Sequence, residues 1–250
     1  MSATTRSRWF CRARVACGMV GVVAACTACS IFEGIEAQPA EFTTPTTIAG
    51  RPDAPLVLMV GDSITQFSQP ELAFTFTTRG WSSAVVGHSG TTTLENRGRI
   101  LGAVDQRPDV LVVQLGTNDA LQAGNPSDGG RPERREARLD AARDQIDAAL
   151  DDADGIACVL WVDLNDWTDT PLLALAETAP TLNRELESQA SERSQFSIIP
   201  YAATFRPASP EAADFLQRTF DPEGLHPVNP AARARYATLV ADAVADACKI

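Results

Sequence analysis

The sequence predicts a three-layer α/β domain on a mostly parallel sheet of five strands. Three observations predict it. Continuous apolar runs of five to seven residues, the mark of strands buried on both faces, recur five times. Segments with a helical apolar stripe stand between them. Three of the runs end in glycine and then polar residues, as parallel strands do where they hand the chain to a loop.

The runs are Leu56–Val60 before Gly61, Trp81–Val86 before Gly87, Asp109–Leu115 ending at Gly116, Ile156–Val162, and Phe196–Pro200. The clearest helix is Glu133–Leu150, with Leu139, Ala142, Ile146 and Ala149 on one face. Thr178–Ser191 is a second, and Ala231–Cys248 a third, its stripe formed by Tyr236, Leu239, Val240 and Val244. Ala120–Arg135, with Gly124-Asn125-Pro126 and Asp128-Gly129-Gly130, reads as a mobile loop over the rim where a substrate is selected.

Charge divides the chain unevenly. Its 250 residues carry 21 basic and 32 acidic side chains, a net charge of −11. Residues 1–25 hold Arg6, Arg8, Arg12 and Arg14 and no acid, so the remainder has 17 basic against 32 acidic residues, a net −15. Nucleic-acid affinity comes mainly from Lys and Arg neutralising phosphates, which excludes a nucleic-acid partner. Adsorption to anionic lipid through a basic patch is excluded in the same way.

The first 25 residues read as an export signal: four arginines, then the short apolar run Val15–Ala25, well under the roughly 20 residues that span a bilayer. The run ends in Val23-Ala24-Ala25-Cys26, which resembles a bacterial lipobox, so cleavage is expected before Cys26 and lipidation on its thiol. Cys29 is the weaker candidate, and a plain secretory signal is the alternative. Residues 26–54, rich in Thr, Pro and Ala without periodicity, read as a tether, and residues 55–250 as the working domain. The chain is then expected outside the cytosol, at the outer face of a membrane and held only by its lipid, or secreted. Cys158 sits in an apolar run as a small hydrophobe, and a bridge from Cys158 to Cys248 stays open.

Chemistry gathers at the strand ends. Ser63, in Gly61-Asp62-Ser63-Ile64-Thr65, follows a buried strand and precedes a helix start, where a hydroxyl is exposed as a nucleophile or serves merely as a cap. Asn118, in Gly116-Thr117-Asn118-Asp119, offers an amide donor at the same rim, and Gly87-His88-Ser89-Gly90-Thr91-Thr92 offers backbone amides. His226 lies in the polar loop Asp221-Pro222-Glu223-Gly224-Leu225-His226-Pro227; a carboxylate three residues earlier can curl back onto its Nδ1 and leave Nε2 to take a serine proton. Trp161 and Trp167 flank Asp163–Asp166, as walls of an acyl or sugar pocket or as packing. No His/Cys/Asp cluster has ligand spacing, so neither metal nor cofactor is expected.

In this order the four blocks resemble the SGNH (GDSL-type) hydrolases, from Leu56 to about Ala247. The resemblance implies a flavodoxin-like sheet, a shallow site and hydrolysis of carboxylic esters, acyl or acetyl, on a small molecule, glycan or lipid. It implies Ser63 as nucleophile, His226 as general base, and an oxyanion hole from the Ser63 amide, the Gly90 amide and the Asn118 side chain. The family usually has Asp three residues before the histidine. This chain has Glu223 there, with Asp221 as the competing orienter. An acyltransferase using the same site, or a non-catalytic envelope-binding lipoprotein that retains the fold, are the alternatives.

Overall fold

The computed structural model describes residues 46–48, 53–125, 131–166, 173–206 and 225–250, all within the compact unit Ala40–Ile250. In chain order the strands are β1 (Thr46–Ile48), β2 (Leu56–Gly61), β3 (Ser82–Gly87), β4 (Val110–Gln114), β5 (Cys158–Val162) and β6 (Phe196–Ile199). The helices are α1 (Ser63–Thr78), α2 (Thr93–Val104), α3 (Thr117–Gly124), α4 (Pro132–Asp152), α5 (Leu173–Glu192), α6 (Tyr201–Phe205) and α7 (Pro230–Cys248).

The sheet order is β1-β3-β2-β4-β5-β6. The five strands from β3 to β6 are parallel in the flavodoxin-like order, and β1 adds to the β3 edge antiparallel. Right-handed crossovers running one way and then the other place helices on both faces. Helices α1 and α7 pack together on one face; α2, α4 and α5 cover the other, with α3 against α4 and α5. β4 is buried along its whole length and β2 and β5 after their first residue, which is why their sequences are unbroken apolar runs, whereas β3, one place from the edge, alternates buried and half-buried residues.

Two local expectations change and one open choice closes. Thr46–Ile48, assigned by sequence to the tether 26–54, is instead edge strand β1, with Thr47 opposite Ala84. A three-residue polar edge strand needs only backbone pairing, so no apolar run announced it. The Ala120–Arg135 segment is shorter as a loop, because α3 continues to Gly124 and α4 begins at Pro132, a favoured first helical residue. Residues 126–130 lie outside the described residues. The choice left open at Cys158 closes on the bridge to Cys248, with Cα atoms 5.7 Å apart, so the end of α7 is stapled to the start of β5.

Candidate active site

The order β3-β2-β4 makes the gap between β2 and β4 the point where the winding direction reverses, and loops there diverge to leave a crevice at the carboxyl edge. The predicted residues converge on this crevice. Ser63 is the first residue of α1, directly after β2, and is 8 % exposed. His226 comes from the loop before α7 and places Nε2 2.8 Å from Ser63 Oγ.

Asp62 caps α1: Oδ1 accepts from the Ile64 amide at 3.0 Å, leaving the Ser63 amide among the first-turn donors without an intrahelical partner. Burial pushes the Asp62 carboxyl up to about 7, although the Ile64 amide, Gln114 and the charge of His226 pull it down. Beneath it Gln114, the last residue of β4, ties the two strand ends. Its Oε1 accepts from Thr65 Oγ1 at 3.1 Å and from the Thr65 amide at 3.3 Å, while its carbonyl accepts from the Asp62 amide at 3.1 Å. Sequence reasoning passed over Gln114; the signal was a polar residue closing an otherwise apolar buried run.

Asn118 lies in the first turn of α3. Its Nδ2 donates to the Thr91 carbonyl at 3.0 Å and to Asp62 Oδ2 at 3.3 Å, which brings the β3 loop and the cap of α1 to one amide. The β3 loop is drawn in by two more residues that the sequence reading missed. Gln66 Oε1 accepts from the Ser89 amide at 2.7 Å, and Gln69 Oε1 from the Gly87 amide at 3.3 Å. Gly87 has to be glycine, since a Cβ there would lie 2.1 Å from the Gln66 backbone nitrogen. Gly90 turns the loop with φ +73, a left-handed conformation that other residues rarely adopt, and nothing crowds its open side. Thr91 Oγ1 then closes onto the His88 carbonyl at 2.7 Å, and Asp119 Oδ2 accepts from the Thr93 amide and hydroxyl, joining the starts of α2 and α3. Burial raises the Asp119 carboxyl.

The His226 loop is anchored to α1 on its far side. Arg233, on α7, donates to Glu71 at 2.7 Å and to the Val228 carbonyl at 3.1 Å. The Phe67 ring stands 5.1 Å from the imidazole.

Other expectations part company with the crevice. Trp161 is fully buried and donates Nε1 to the Leu115 carbonyl at 3.0 Å, so it packs the core and walls no pocket. Trp167, Glu223, Asp221 and Cys26 lie outside the described residues. Among the described residues, no group of three or more His, Cys, Asp or Glu side chains could hold a metal ion.

The chain is thus a doubly wound α/β domain that joins a serine and a histidine at its switch point. The chain belongs to the GDSL-like lipase/acylhydrolase family, whose sequence pattern matches residues 59–234, and is an SGNH-type esterase. Among solved structures it is similar to a member of the lipolytic G-D-S-L family from Veillonella parvula, at 18 % identity and TM-score 0.57 over 75 % of this chain and 96 % of that one. An acetylxylan esterase from Geobacillus stearothermophilus, in a catalytic variant, gives 16 % identity and TM-score 0.56 over 78 % and 94 %. An α/β hydrolase from the metagenome of Lake Arreo, Spain, gives 14 % and 0.51 over 78 % and 95 %. No curated protein matches the chain by sequence.

Proposed function

We propose that Ser63 attacks the ester carbonyl while His226 Nε2 takes its proton, and that the chain thereby hydrolyses acyl or acetyl esters of a carbohydrate or lipid. The 2.8 Å hydrogen bond between Ser63 Oγ and His226 Nε2 carries this reading. As Oγ bonds to the carbonyl carbon, the carbonyl oxygen becomes an oxyanion, received by the Ser63 and Gly90 amides and the Asn118 side chain. Both Asn118 protons are given elsewhere in the resting arrangement, so one has to be re-aimed; the 3.3 Å bond to Asp62 is the weaker of the two and the one surrendered. Collapse of the tetrahedral species expels the alcohol, which leaves with the proton from His226. Water then attacks the acyl-serine, gives a proton to the same nitrogen, and releases the acid with Ser63 restored.

Glu223 is proposed as the residue that orients His226, with Asp221 as its competitor. In the acetylxylan esterase, the catalytic variants replace a serine, an aspartate and a histidine three residues after that aspartate, and Glu223 has the same spacing to His226. A glutamate can fill this place. The working place is proposed as the outer face of a membrane, with Cys26 carrying a diacylglyceryl group and about 20 residues leading to β1.

A fluorophosphonate probe and p-nitrophenyl acetate test the site together. The wild type labels and turns over, and Ser63→Ala does neither; labelling that survives Ser63→Ala overturns the assignment. Full activity in Glu223→Gln with loss in Asp221→Asn reverses the choice of orienter, and fatty-acid labelling that persists in Cys26→Ala removes the anchor.

A further inference from the structure

Helix α1 carries more than the nucleophile. At 100° per residue, positions 63, 67, 70 and 74 fall on one stripe, i, i+4, i+7 and i+11. Ser63 begins this stripe, and Phe67, Pro70 and Phe74 continue it, all three exposed to solvent: Phe67 by 46 % and Phe74 by 68 %. Single exposed apolar residues are ordinary, but two phenylalanines and a proline in register with a nucleophile are a surface. Val228, 42 % exposed, borders it, because Arg233 holds the Val228 carbonyl and the Glu71 carboxylate of α1 together. The near end of the stripe touches the reacting pair, the Phe67 ring being 5.1 Å from the His226 ring.

We infer that this stripe is an acyl track: the hydrocarbon chain of the substrate ester lies along Phe67, Pro70 and Phe74 while its carbonyl sits at Ser63. The inference rests on the esterase reading of Ser63 and His226 and deepens it, naming medium-chain acyl esters rather than acetyl esters as the preferred class. From Ser63 to Phe74 the helix rises about 16 Å, and side chains lean toward the helix start, so a chain of roughly ten carbons reaches the second phenylalanine. A bilayer is the less suited occupant, since the net −15 of residues 26–250 opposes anionic lipid and the stripe starts at the nucleophile rather than on a face away from it.

The test is a p-nitrophenyl ester series from acetate to decanoate, below aggregation, on wild type and Phe74→Ser, with fluorophosphonate labelling alongside. A methylene half-covered by an open track adds about twofold to kcat/KM. Decanoate is therefore expected to exceed acetate at least tenfold, and Phe74→Ser to cut the decanoate-to-acetate ratio about fivefold with unchanged labelling of Ser63. Labelling and acetate turnover with no preference for longer chains, or a ratio unmoved in Phe74→Ser, overturn the track and leave the esterase reading intact. An unmoved ratio accompanied by altered vesicle binding or altered sedimentation assigns the stripe to a bilayer or a second copy, and overturns it too. No labelling and no turnover of any ester overturn the esterase reading and the track with it.

Discussion

The carboxyl edge of the sheet repeats one device at two places and puts it to different uses. β2 and β5 each end beside a desolvated aspartate that accepts from a helix-start amide: Asp62 from Ile64 of α1 at 3.0 Å, Asp163 from Ala202 of α6 at 2.7 Å. Burial lifts both carboxyls, to about 7 and about 6. Beside Asp62 stand Ser63 and His226. Beside Asp163 lies a cavity of about 510 Å³ lined by Asp166, Asn183, Arg184, Glu187 and Arg206 among others, with no serine or histidine among its described lining. A strand-end aspartate is thus a means of fixing a helix start. Among the described residues a serine and a histidine meet only where the winding reverses, because there the loops of β3 and β4 diverge and leave space for a third loop to bring the imidazole.

Two asparagines separate the two edges most strongly. Asn118 and Asn183 both hold strand-end loops through their amides, Asn183 by gripping the amide and carbonyl of Leu164 at 2.8 and 2.9 Å. Asn118→Ala is expected to lower kcat about 10²–10³-fold on p-nitrophenyl esters, since it removes a proposed donor to the oxyanion, and to lower stability by about 1–2 kcal/mol, since the Thr91 carbonyl and Asp62 lose their partner. Asn183→Ala is expected to keep kcat within about twofold while lowering stability by about 1–2 kcal/mol, since two backbone groups lose their partner. Equal losses of kcat in both variants would mean that the two edges are not functionally distinct.

A second contrast is between edge and base. The Cys158–Cys248 bridge sits at the start of β5, the amino edge of the sheet, and joins cysteines 90 positions apart in sequence. It restrains the unfolded chain rather than the crevice. The Cys158→Ser/Cys248→Ser double variant is expected to lose about 2–4 kcal/mol in denaturant unfolding and to keep its ester kinetics at 25 °C. A parallel fall in kcat would instead tie α7, and the His226 loop before it, to the staple.

How far the sequence disclosed all this follows from where each signal resides. The central strands were legible because burial on both faces leaves only apolar residues, and the placing of Ser63, His226 and Asn118 at one rim because the carboxyl edge of a parallel sheet is where polar residues follow such runs. Strand β1 was not, because edge pairing uses the backbone and Thr46-Thr47-Ile48 differs little from the residues around it. The role of Gln114 was hidden because its partners, Asp62 and Thr65, are about 50 residues away. The cysteine pair was visible as an option only, since spacing carries no pairing information. Trp161 was open between pocket wall and packing, since an aromatic near the edge fits both until its indole nitrogen is seen bonded inside.

The smallest expected effect lies in the carboxyl that has no chemistry beside it. Asp163 takes up its proton more readily when folded, near pH 6 instead of 3.8, because burial disfavours the charge more than the Ala202 and Tyr201 amides favour it. Between about pH 4 and 6 the folded chain therefore binds more protons than the unfolded one, and this site's contribution to stability falls as pH rises through that window. Asp163→Asn keeps an oxygen for the Ala202 amide and removes the charge. Relative to wild type it is expected to gain about 1–2 kcal/mol on going from pH 4 to pH 7, after allowance for the partial exposure of the site. Urea unfolding at the two pH values reads the difference, with ester turnover at pH 7 held within about twofold. Asp62 cannot be used for this measurement, since its carboxylate also holds Asn118. A pH-independent stability gap would mean that Asp163 is charged in both states, and that a helix start alone suffices to keep it so.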